Sequence, residues 1–271
     1  MSAANRKTGP HPTARTLPAS SLSRVGSVPY LNAAPLIYGL KDQILLATPA
    51  RLAELLQEDA LDAALVSISE VLLTDRYDLL DGVAIASRGA VRSVFLAHRR
   101  PLEEVREVFC DTASLTSVNL LRVLLAERGV KPVFRRLNRY ADSARHDFVL
   151  LIGDAALDFA LDSPSHQIWD MGEVWRQETG LPFVYAGWAL RRGAETTLLR
   201  QQLRDAKTRG LAALEEIVRV RPEYDEPFRR AYLGGNIRYE LGPDEKRGIS
   251  RFEELLRKHG LGPVHEARYV V

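Results

Sequence analysis

Three short segments of the sequence place polar side chains between an extended apolar run and the start of a helical pattern. They span residues 27–32, 111–118 and 151–156. Open α/β sheets bind their ligands at such positions, outside the carboxyl ends of the strands. A helix start also carries unpaired backbone N–H groups and the positive end of the helix dipole, which together favour a carboxylate or another anion. These segments are therefore the candidate ligand contacts of the chain.

In the first segment, Ser27 ends a short extended run and Asn32 stands at the start of a helical pattern. The Asn32 amide lies there beside free backbone N–H groups, where an anion or a hydroxyl of a ligand can dock. Asparagine is equally a favoured N-cap residue, a role that needs no ligand. Both interpretations stay open from the sequence, and Ser27 and Asn32 are candidate site residues.

The second segment holds four hydroxyl side chains within six residues, immediately before a strongly apolar helix. Ordinary capping uses one of these hydroxyls, which leaves the others for a ligand. Together with the N–H groups of the helix start, they favour the binding of a carboxylate. The candidate substrate contacts in this segment are Ser114, Thr116 and Ser117.

In the third segment, Gly153 follows a nearly all-apolar run and Asp154 opens the next helix. Glycine lets the backbone approach a ligand closely, because it carries no side chain. Asp154 is favoured as a helix N-cap, and contact with a substrate is the alternative. Gly153 and Asp154 complete the set of candidate substrate-binding residues.

Composition and the absence of several motifs argue against other kinds of function. The 37 basic and 35 acidic residues nearly cancel, so no strong field gathers nucleic acid or anionic lipid, and neither is expected as a partner. The single cysteine, Cys110, cannot form an intrachain disulfide and is expected to be a buried thiol. The six histidines lack the spacing of metal sites, and the sequence motifs of nucleotide-binding loops and serine hydrolases do not occur. A small neutral-to-anionic ligand fits this sequence best.

The order of the apolar runs predicts an α/β protein with two lobes, which suits a length of 271 residues. Extended runs alternate with helical patterns, which indicates parallel sheets with right-handed crossovers. We expect residues 24–93 plus 190–271 in the first lobe and 94–189 in the second, with one long amphipathic helix over 196–218. Residues 1–22 are expected to be a disordered extension without the apolar run of a secretory signal. No apolar stretch reaches membrane-spanning length, so a cytoplasmic location is expected.

Six motifs follow one another from residue 24 towards the end of the chain. They are Arg24-Val-Gly-Ser-Val-Pro-Tyr-Leu-Asn-Ala-Ala-Pro-Leu36, Leu61-Asp-Ala-Ala-Leu-Val66, Asp111-x-x-Ser-x-Thr-Ser-Val118, Ile152-Gly-Asp-x-Ala-Leu157, Thr179-Gly-Leu-Pro-Phe-Val-Tyr-Ala186 and Tyr232-Leu-Gly-Gly-Asn-Ile-Arg-Tyr-x-Leu241. In residues and in order, this series resembles the chorismate dehydratases of the futalosine route to menaquinone. Only the N-terminal extension lies outside the resemblance.

The resemblance implies a two-lobed fold of the type II periplasmic-binding-protein kind, with the ligand in the cleft between the lobes and with chain crossings near Ser93 and near 187–190. It implies dehydration of chorismate, the small-molecule partner, without a metal or an organic cofactor. In that family an asparagine of the opening motif and a serine near the first crossing position the enolpyruvyl carboxylate. These residues correspond to Asn32 and Ser93. Asp154 is a candidate proton donor to the departing hydroxyl, a role that requires a raised pKa.

Three other functions share this fold. The sister enzyme of the same pathway, 1,4-dihydroxy-6-naphthoate synthase, is the nearest alternative, although the opening motif resembles the dehydratase more closely. A solute-binding protein that serves a transporter and the effector domain of a transcription factor are the non-enzymatic alternatives, since the fold alone does not specify catalysis. No helix-turn-helix pattern precedes the lobes.

Overall fold

The computed structural model describes residues 24–40, 43–110, 115–162 and 165–271. In these ranges the chain is a mixed α/β protein with two β-sheets and surrounding helices, as the alternating pattern predicts. The extension expected over residues 1–22 lies outside them. No helix in the described part of the chain is long and apolar enough to span a membrane.

The strands and helices follow in chain order. The strands are β1 (Val25–Ser27), β2 (Leu45–Leu46), β3 (Ala63–Ser67), β4 (Tyr77–Ser87), β5 (Val94–His98), β6 (Glu107–Cys110), β7 (Val133–Arg136), β8 (Phe148–Ile152), β9 (Gln167–Asp170), β10 (Phe183–Arg191) and β11 (Tyr269–Val270). The α-helices are α1 (Pro49–Gln57), α2 (Ile68–Leu73), α3 (Leu115–Glu127), α4 (Gly153–Asp162), α5 (Met171–Thr179), α6 (Thr197–Ala212), α7 (Leu214–Val220), α8 (Glu226–Ala231) and α9 (Pro243–Lys258). Short 3₁₀ helices span Leu31–Ile37, Leu102–Glu104 and Tyr140–Arg145, and a π turn spans Tyr232–Asn236.

Each sheet forms the centre of one lobe. The first sheet has the order β11-β4-β10-β3-β1-β2, and the second has the order β7-β6-β8-β5-β9. Most neighbouring strands are parallel, but β10 runs antiparallel to β3 and β4, and β5 runs antiparallel to β8 and β9. The expectation of parallel sheets is therefore corrected for one strand in each lobe. Strands β5 and β10 are the first strands after the chain changes lobes, so each of them starts at the cleft. The parallel strands end at the cleft, which is why β5 and β10 run in the opposite direction.

The second crossing between the lobes lies earlier in the chain than we expected. The prediction placed it near residues 187–190, with the second lobe running to residue 189. Strand β10 pairs with β4 from Phe183↔Ser87 to Arg191↔Tyr77, so the chain has already returned to the first sheet at Phe183. An apolar run predicts a buried strand, but its pattern is the same whichever sheet the strand joins.

Local sequence signals account for several helix ends. Pro49 is the first residue of α1, and Thr48 caps this helix by accepting a hydrogen bond from the Arg51 N–H at 3.4 Å. Helix α5 starts after Asp170, whose carboxylate accepts two N–H groups of the first turn, and ends at Gly180 with a left-handed φ of 71°. The single helix predicted over 196–218 is instead two helices that meet at Ala213. The continuous amphipathic pattern does not signal that break.

Aromatic side chains from both lobes pack around the second crossing. The Trp175 ring, on α5 of the second lobe, contacts Phe183 and Phe252 edge to face, with ring centroids 5.0 and 6.1 Å apart. Its indole N–H donates to the Pro182 carbonyl at 3.1 Å. Edge-to-face pairs of this kind add to the stabilisation from apolar burial. The crossing is therefore a packed segment of the core.

Candidate active site

A cavity lies between the two sheets and encloses about 610 Å³ of space, part of it open to solvent. This size is typical of pockets that bind small molecules. Strands β3, β4 and β10 of the first lobe and β5, β8 and α3 of the second lobe contribute to its walls. The polar side chains that line it are Tyr30, Asn32, Ser67, Ser93, Ser117 and Tyr185. Most of the remaining lining is aliphatic, so few polar groups determine the orientation of a ligand.

Helix starts surround the cavity. Pro49 and Gly153 are the first residues of α1 and α4, and Ser117 lies in the first turn of α3. Ser67 immediately precedes α2. The positive ends of these helix dipoles and their unpaired N–H groups therefore point towards one volume. Among the described lining residues there is no Asp, Glu, Lys, Arg or His, so an anion in this cavity meets neutral donors and helix dipoles.

Asn32 lies in the 3₁₀ helix Leu31–Ile37 and lines the cavity. Its Nδ2 donates to the Tyr232 phenol oxygen at 3.4 Å. Its Oδ1 is buried and has no hydrogen-bond partner among the described residues. A buried polar atom without a partner is costly, and at the wall of a cavity it is available to a ligand. Of the two interpretations of Asn32, the position therefore favours the ligand contact, because Tyr30 is the N-cap of this helix and Asn32 lies within its first turn.

Ser93 lies immediately before β5 and also lines the cavity. Its hydroxyl oxygen accepts a hydrogen bond from Tyr232 at 2.7 Å, and the residue is almost fully buried. The Ser93 backbone carbonyl accepts the Gly153 N–H at 2.7 Å. The start of α4 is therefore fixed to the same segment that carries the Ser93 side chain.

The hydroxyl-rich segment before α3 divides between two roles. Ser117 lines the cavity, whereas Thr116 is fully buried between the lobes and does not line it. The Thr116 Oγ1 accepts the Ser69 backbone N–H at 2.9 Å and lies 2.5 Å from the Ser67 Oγ. Thr116 thus joins α3 of the second lobe to the β3–α2 turn of the first, and its predicted substrate contact is not seen. Ser114 lies outside the described residues.

Gly153 lines the cavity at the start of α4. Its φ is +59°, a left-handed conformation that glycine adopts without strain. A Cβ at this position would lie 3.8–3.9 Å from the ring atoms of Tyr30, which is ordinary van der Waals contact. The backbone conformation, and not the space around it, is therefore what favours glycine at this point of the cavity wall.

Besides Thr116, two further candidate residues lie outside the cavity. Ser27 is fully buried, and its hydroxyl donates to the Val28 carbonyl at 3.4 Å. Asp154 is the second residue of α4 rather than its N-cap, so the expected capping role is wrong. Its carboxylate accepts the Leu31 backbone N–H of the other lobe. Both positions follow strand ends as predicted, but their side chains are used in contacts within the protein.

The Asp154 carboxyl has a strongly perturbed acidity. Burial, and after it the nearby carboxylates of Glu223 and Asp158, raise its pKa from 3.8 to about 6, whereas Arg221 and the Leu31 N–H oppose the shift. The Tyr224 phenol donates to the Asp154 backbone carbonyl at 3.1 Å. Asp154 therefore lies in a contact between the lobes that changes charge near neutral pH.

Sequence reasoning missed the tyrosines of the site. Tyr30 and Tyr185 line the cavity, and Tyr232 bonds to both Asn32 and Ser93. The Tyr185 phenol lies 3.1 Å from the Ser87 Oγ, and burial raises its pKa well above the ordinary value, so it stays a neutral donor. Each of these tyrosines belongs to one of the six sequence motifs, and a phenol inside an otherwise apolar run was the signal that could have identified Tyr185.

The described residues contain no group of three or more His, Cys, Asp or Glu side chains that could hold a metal ion. Cys110 is a buried free thiol whose Sγ lies 3.4 Å from the Arg135 carbonyl. The chemistry of the cavity therefore rests on hydroxyl groups, one amide and backbone N–H groups.

Comparison with known proteins gives both a family and a fold. Residues 23–258 match a sequence family described as menaquinone biosynthesis. The chain is 34% identical over 250 residues to a Thermus thermophilus protein named chorismate dehydratase, a match that covers 84% of this chain and 92% of that protein.

Solved structures with low sequence identity share the fold alone. Protein AF1704 from Archaeoglobus fulgidus has a TM-score of 0.71 at 15% identity, covering 88% of this chain and 98% of that one. The alkanesulfonate-binding protein SsuA from Xanthomonas axonopodis pv. citri has a TM-score of 0.66 at 16% identity, covering 92% of this chain and 96% of that one. The predicted periplasmic-binding-protein-like fold is thereby confirmed.

Proposed function

This chain belongs to the menaquinone biosynthesis family, and on that premise we propose that it is a chorismate dehydratase, a hydro-lyase. The similarity to the Thermus thermophilus enzyme over most of both chains carries the proposal. Chorismate as the small-molecule partner and a cytoplasmic location belong to the same proposal. The cavity supports it, because the cavity offers neutral donors and helix starts to a small substrate with two carboxylates.

The reaction removes a hydrogen from the ring carbon that bears the enolpyruvyl ether and a hydroxyl from the neighbouring carbon. The products are 3-[(1-carboxyvinyl)oxy]benzoate and water. The ring becomes aromatic, so the driving force is present in the substrate. The carbon that loses this hydrogen lies next to a ring double bond that is conjugated with the ring carboxylate. Negative charge therefore spreads onto the ring carboxylate as the C–H bond breaks.

We assign the ring carboxylate to the helix starts of the second lobe. Ser117, in the first turn of α3, and the backbone at Gly153, the first residue of α4, both line the cavity. Donors held in place before the reaction stabilise charge that develops in the transition state more effectively than mobile water does. These groups therefore serve binding and lower the barrier to C–H cleavage.

We assign proton removal to the enolpyruvyl carboxylate of the substrate itself. The described polar lining consists of hydroxyls and an amide, which orient a carboxylate and do not take up protons at neutral pH. Asn32 and Ser93 are adjacent through Tyr232, and in this proposal they position that carboxylate next to the ring hydrogen. Holding two reacting groups in place can lower an activation barrier by as much as about 7–11 kcal/mol.

The test is to incubate the purified full chain with chorismate and to follow the products by mass spectrometry. We expect an aromatic product lighter than chorismate by one water, with loss of the ring diene absorbance. The Ser117→Ala variant is the matched probe of the cavity and should bind chorismate more weakly. If chorismate binds but stays unchanged, the chain is a solute-binding protein. If chorismate does not bind, the proposal that it is the substrate is refuted.

A further inference from the structure

The Tyr232–Asn236 π turn carries a motif that the assignments above leave without a role. The turn follows α8 and is closed by the hydrogen bond from the Ile237 N–H to the Tyr232 carbonyl at 3.0 Å. A π turn places one extra residue in the helix, and such turns are common at functional sites. Here the extra residue belongs to the segment that brings the Tyr232 side chain to the cleft between the lobes.

The π turn is attached to the first crossing between the lobes. The Asn236 side chain donates to the Ala90 carbonyl at 2.9 Å. Arg238 and Ala86 exchange two backbone hydrogen bonds of 2.8 and 2.9 Å. Three hydrogen bonds therefore fix the segment after Tyr232 to the end of β4 and to the chain that follows it, which leads directly to Ser93.

The Tyr232 phenol lies between the two residues that we assign to the substrate carboxylate. Its O–H donates to Ser93 at 2.7 Å, and its oxygen accepts from Asn32 at 3.4 Å. Tyr232 is 1% exposed, and its ring stacks on Phe228 with centroids 5.7 Å apart. Burial raises the pKa of the phenol, so it remains a donor over the whole physiological range.

We propose that Tyr232 is a positioning residue for the dehydration, because its phenol fixes the direction of the Asn32 amide and of the Ser93 hydroxyl. The inference rests on the proposed function of the cavity. One hydrogen bond to Nδ2 fixes the plane of the Asn32 amide, so the second N–H and the unpartnered Oδ1 keep set directions. The hydrogen bond to Ser93 fixes the direction of the Ser93 hydroxyl in the same way. Asn32 lies in the first lobe and Ser93 lies at the crossing into the second, and the Tyr232 phenol bonds to both.

The Tyr232→Phe variant tests this inference, because it keeps the ring and removes only the hydroxyl. We expect kcat to fall by about 10-fold or more, while the dissociation constant of chorismate changes by less than about threefold. The matched control is Tyr239→Phe. Tyr239 is also buried, but its hydroxyl has no hydrogen-bond partner among the described residues, so its removal should leave kcat unchanged.

A double variant separates positioning from a general structural effect. If Tyr232 acts through Asn32 and Ser93, adding Tyr232→Phe to Asn32→Ala should lower kcat by a smaller factor than Tyr232→Phe lowers it in the wild type, because only the bond to Ser93 is left to lose. Losses that multiply fully in the double variant, a normal kcat in Tyr232→Phe, or an equal loss in Tyr239→Phe would each overturn the inference. Thermal unfolding of every variant accompanies the kinetics.

A second variant keeps the test available if Tyr232→Phe does not fold. Asn236→Ala removes the hydrogen bond to Ala90 and keeps the Tyr232 hydroxyl, so the π turn no longer holds the phenol firmly in position. A loss of at least about threefold in kcat supports the inference, and a normal kcat overturns it. Wild-type turnover distinguishes this inference from the proposed function. If the wild type does not dehydrate chorismate, the function is wrong, whereas normal turnover in both the wild type and Tyr232→Phe refutes only the role of Tyr232.

Discussion

Replacing Asp154 with Asn should stabilise the protein at neutral pH and leave it unchanged in acid. Burial raises the pKa of this carboxyl from 3.8 to about 6, so the folded protein holds the proton more tightly than the unfolded chain does. Folded-state stability is therefore lost as the pH rises through the interval from 3.8 to about 6. Above that interval the half-buried carboxylate is ionised and lies beside Glu223 and Asp158.

The size of the effect follows from the shift. A change from 3.8 to about 6 corresponds to about 3 kcal/mol at roughly 1.4 kcal/mol per pKa unit. Solvent screens part of this cost because Asp154 is only half-buried, so we expect a gain of about 1–2 kcal/mol for Asp154→Asn. Asparagine keeps an oxygen that accepts the Leu31 N–H, so the contact between the lobes survives the substitution.

Urea denaturation of the wild type and Asp154→Asn at about pH 8 and about pH 4 measures the effect. The gain should appear at the higher pH and vanish at the lower one. Equal stability of the two proteins at about pH 8 would refute the claim that the ionised Asp154 carboxylate destabilises the folded protein. The same variant should turn over chorismate within about threefold of the wild type, because Asp154 does not line the cavity. A folded variant that binds chorismate and fails to react would instead make Asp154 the proton donor to the departing hydroxyl.

Three further substitutions probe the cleft. Asn32→Ala should lower kcat by about 100-fold with a modest loss of affinity, measured by single-turnover kinetics and equilibrium binding, because a positioned donor is lost. Thr116→Val leaves the buried Ser69 N–H without its acceptor and should cost about 1–3 kcal/mol in urea denaturation, whereas Thr116→Ser keeps the hydroxyl and serves as its control. Gly153→Ala should cost about 1–2 kcal/mol of unfolding free energy, because an L residue is strained at a φ of +59°.

Each of these has a result that contradicts its reasoning. Asn32→Ala that binds chorismate many times more weakly yet reacts at the normal maximal rate would make Asn32 a binding contact alone. A Thr116→Val protein as stable as the wild type would mean that the bond to Ser69 contributes nothing. If Gly153→Ala keeps full stability, the backbone relaxes at no cost and the left-handed conformation is not required.

The sequence predicts the elements of this fold well, because apolar periodicity and turn residues act locally. The run at Phe148–Ile152 is a strand buried on both sides, and the stripe after residue 115 forms α3 as expected. The periodic pattern does not say which sheet receives a strand, and the run before residue 190 was therefore placed in the wrong lobe. Nor does the pattern signal the break at Ala213, since both helices keep an apolar face.

The site shows the same limit at the level of side chains. Asn32, Ser93, Ser117 and Gly153 lie at the cavity because strand ends and helix starts meet there, a rule that needs only the order of elements. The role of Tyr232 depends on contacts with residues 139 and 200 positions away in the chain, which no local pattern encodes. Ser27 and Thr116 satisfy the local rule, yet their hydroxyls bond within the protein, because neighbouring backbone groups compete for them.

The strand order of the first sheet determines when this protein can complete its fold. Strand β10 lies between β4 and β3, so the strand that completes the middle of that sheet is synthesised after all five strands of the second sheet. The second lobe can therefore assemble on the growing chain, while the edges of β3 and β4 that β10 will cover stay open until it joins them. Pairing across so many residues is slow, and exposed strand edges are prone to aggregation in the meantime. The yield of folded protein in a cell should then be sensitive to translation rate and chaperone supply.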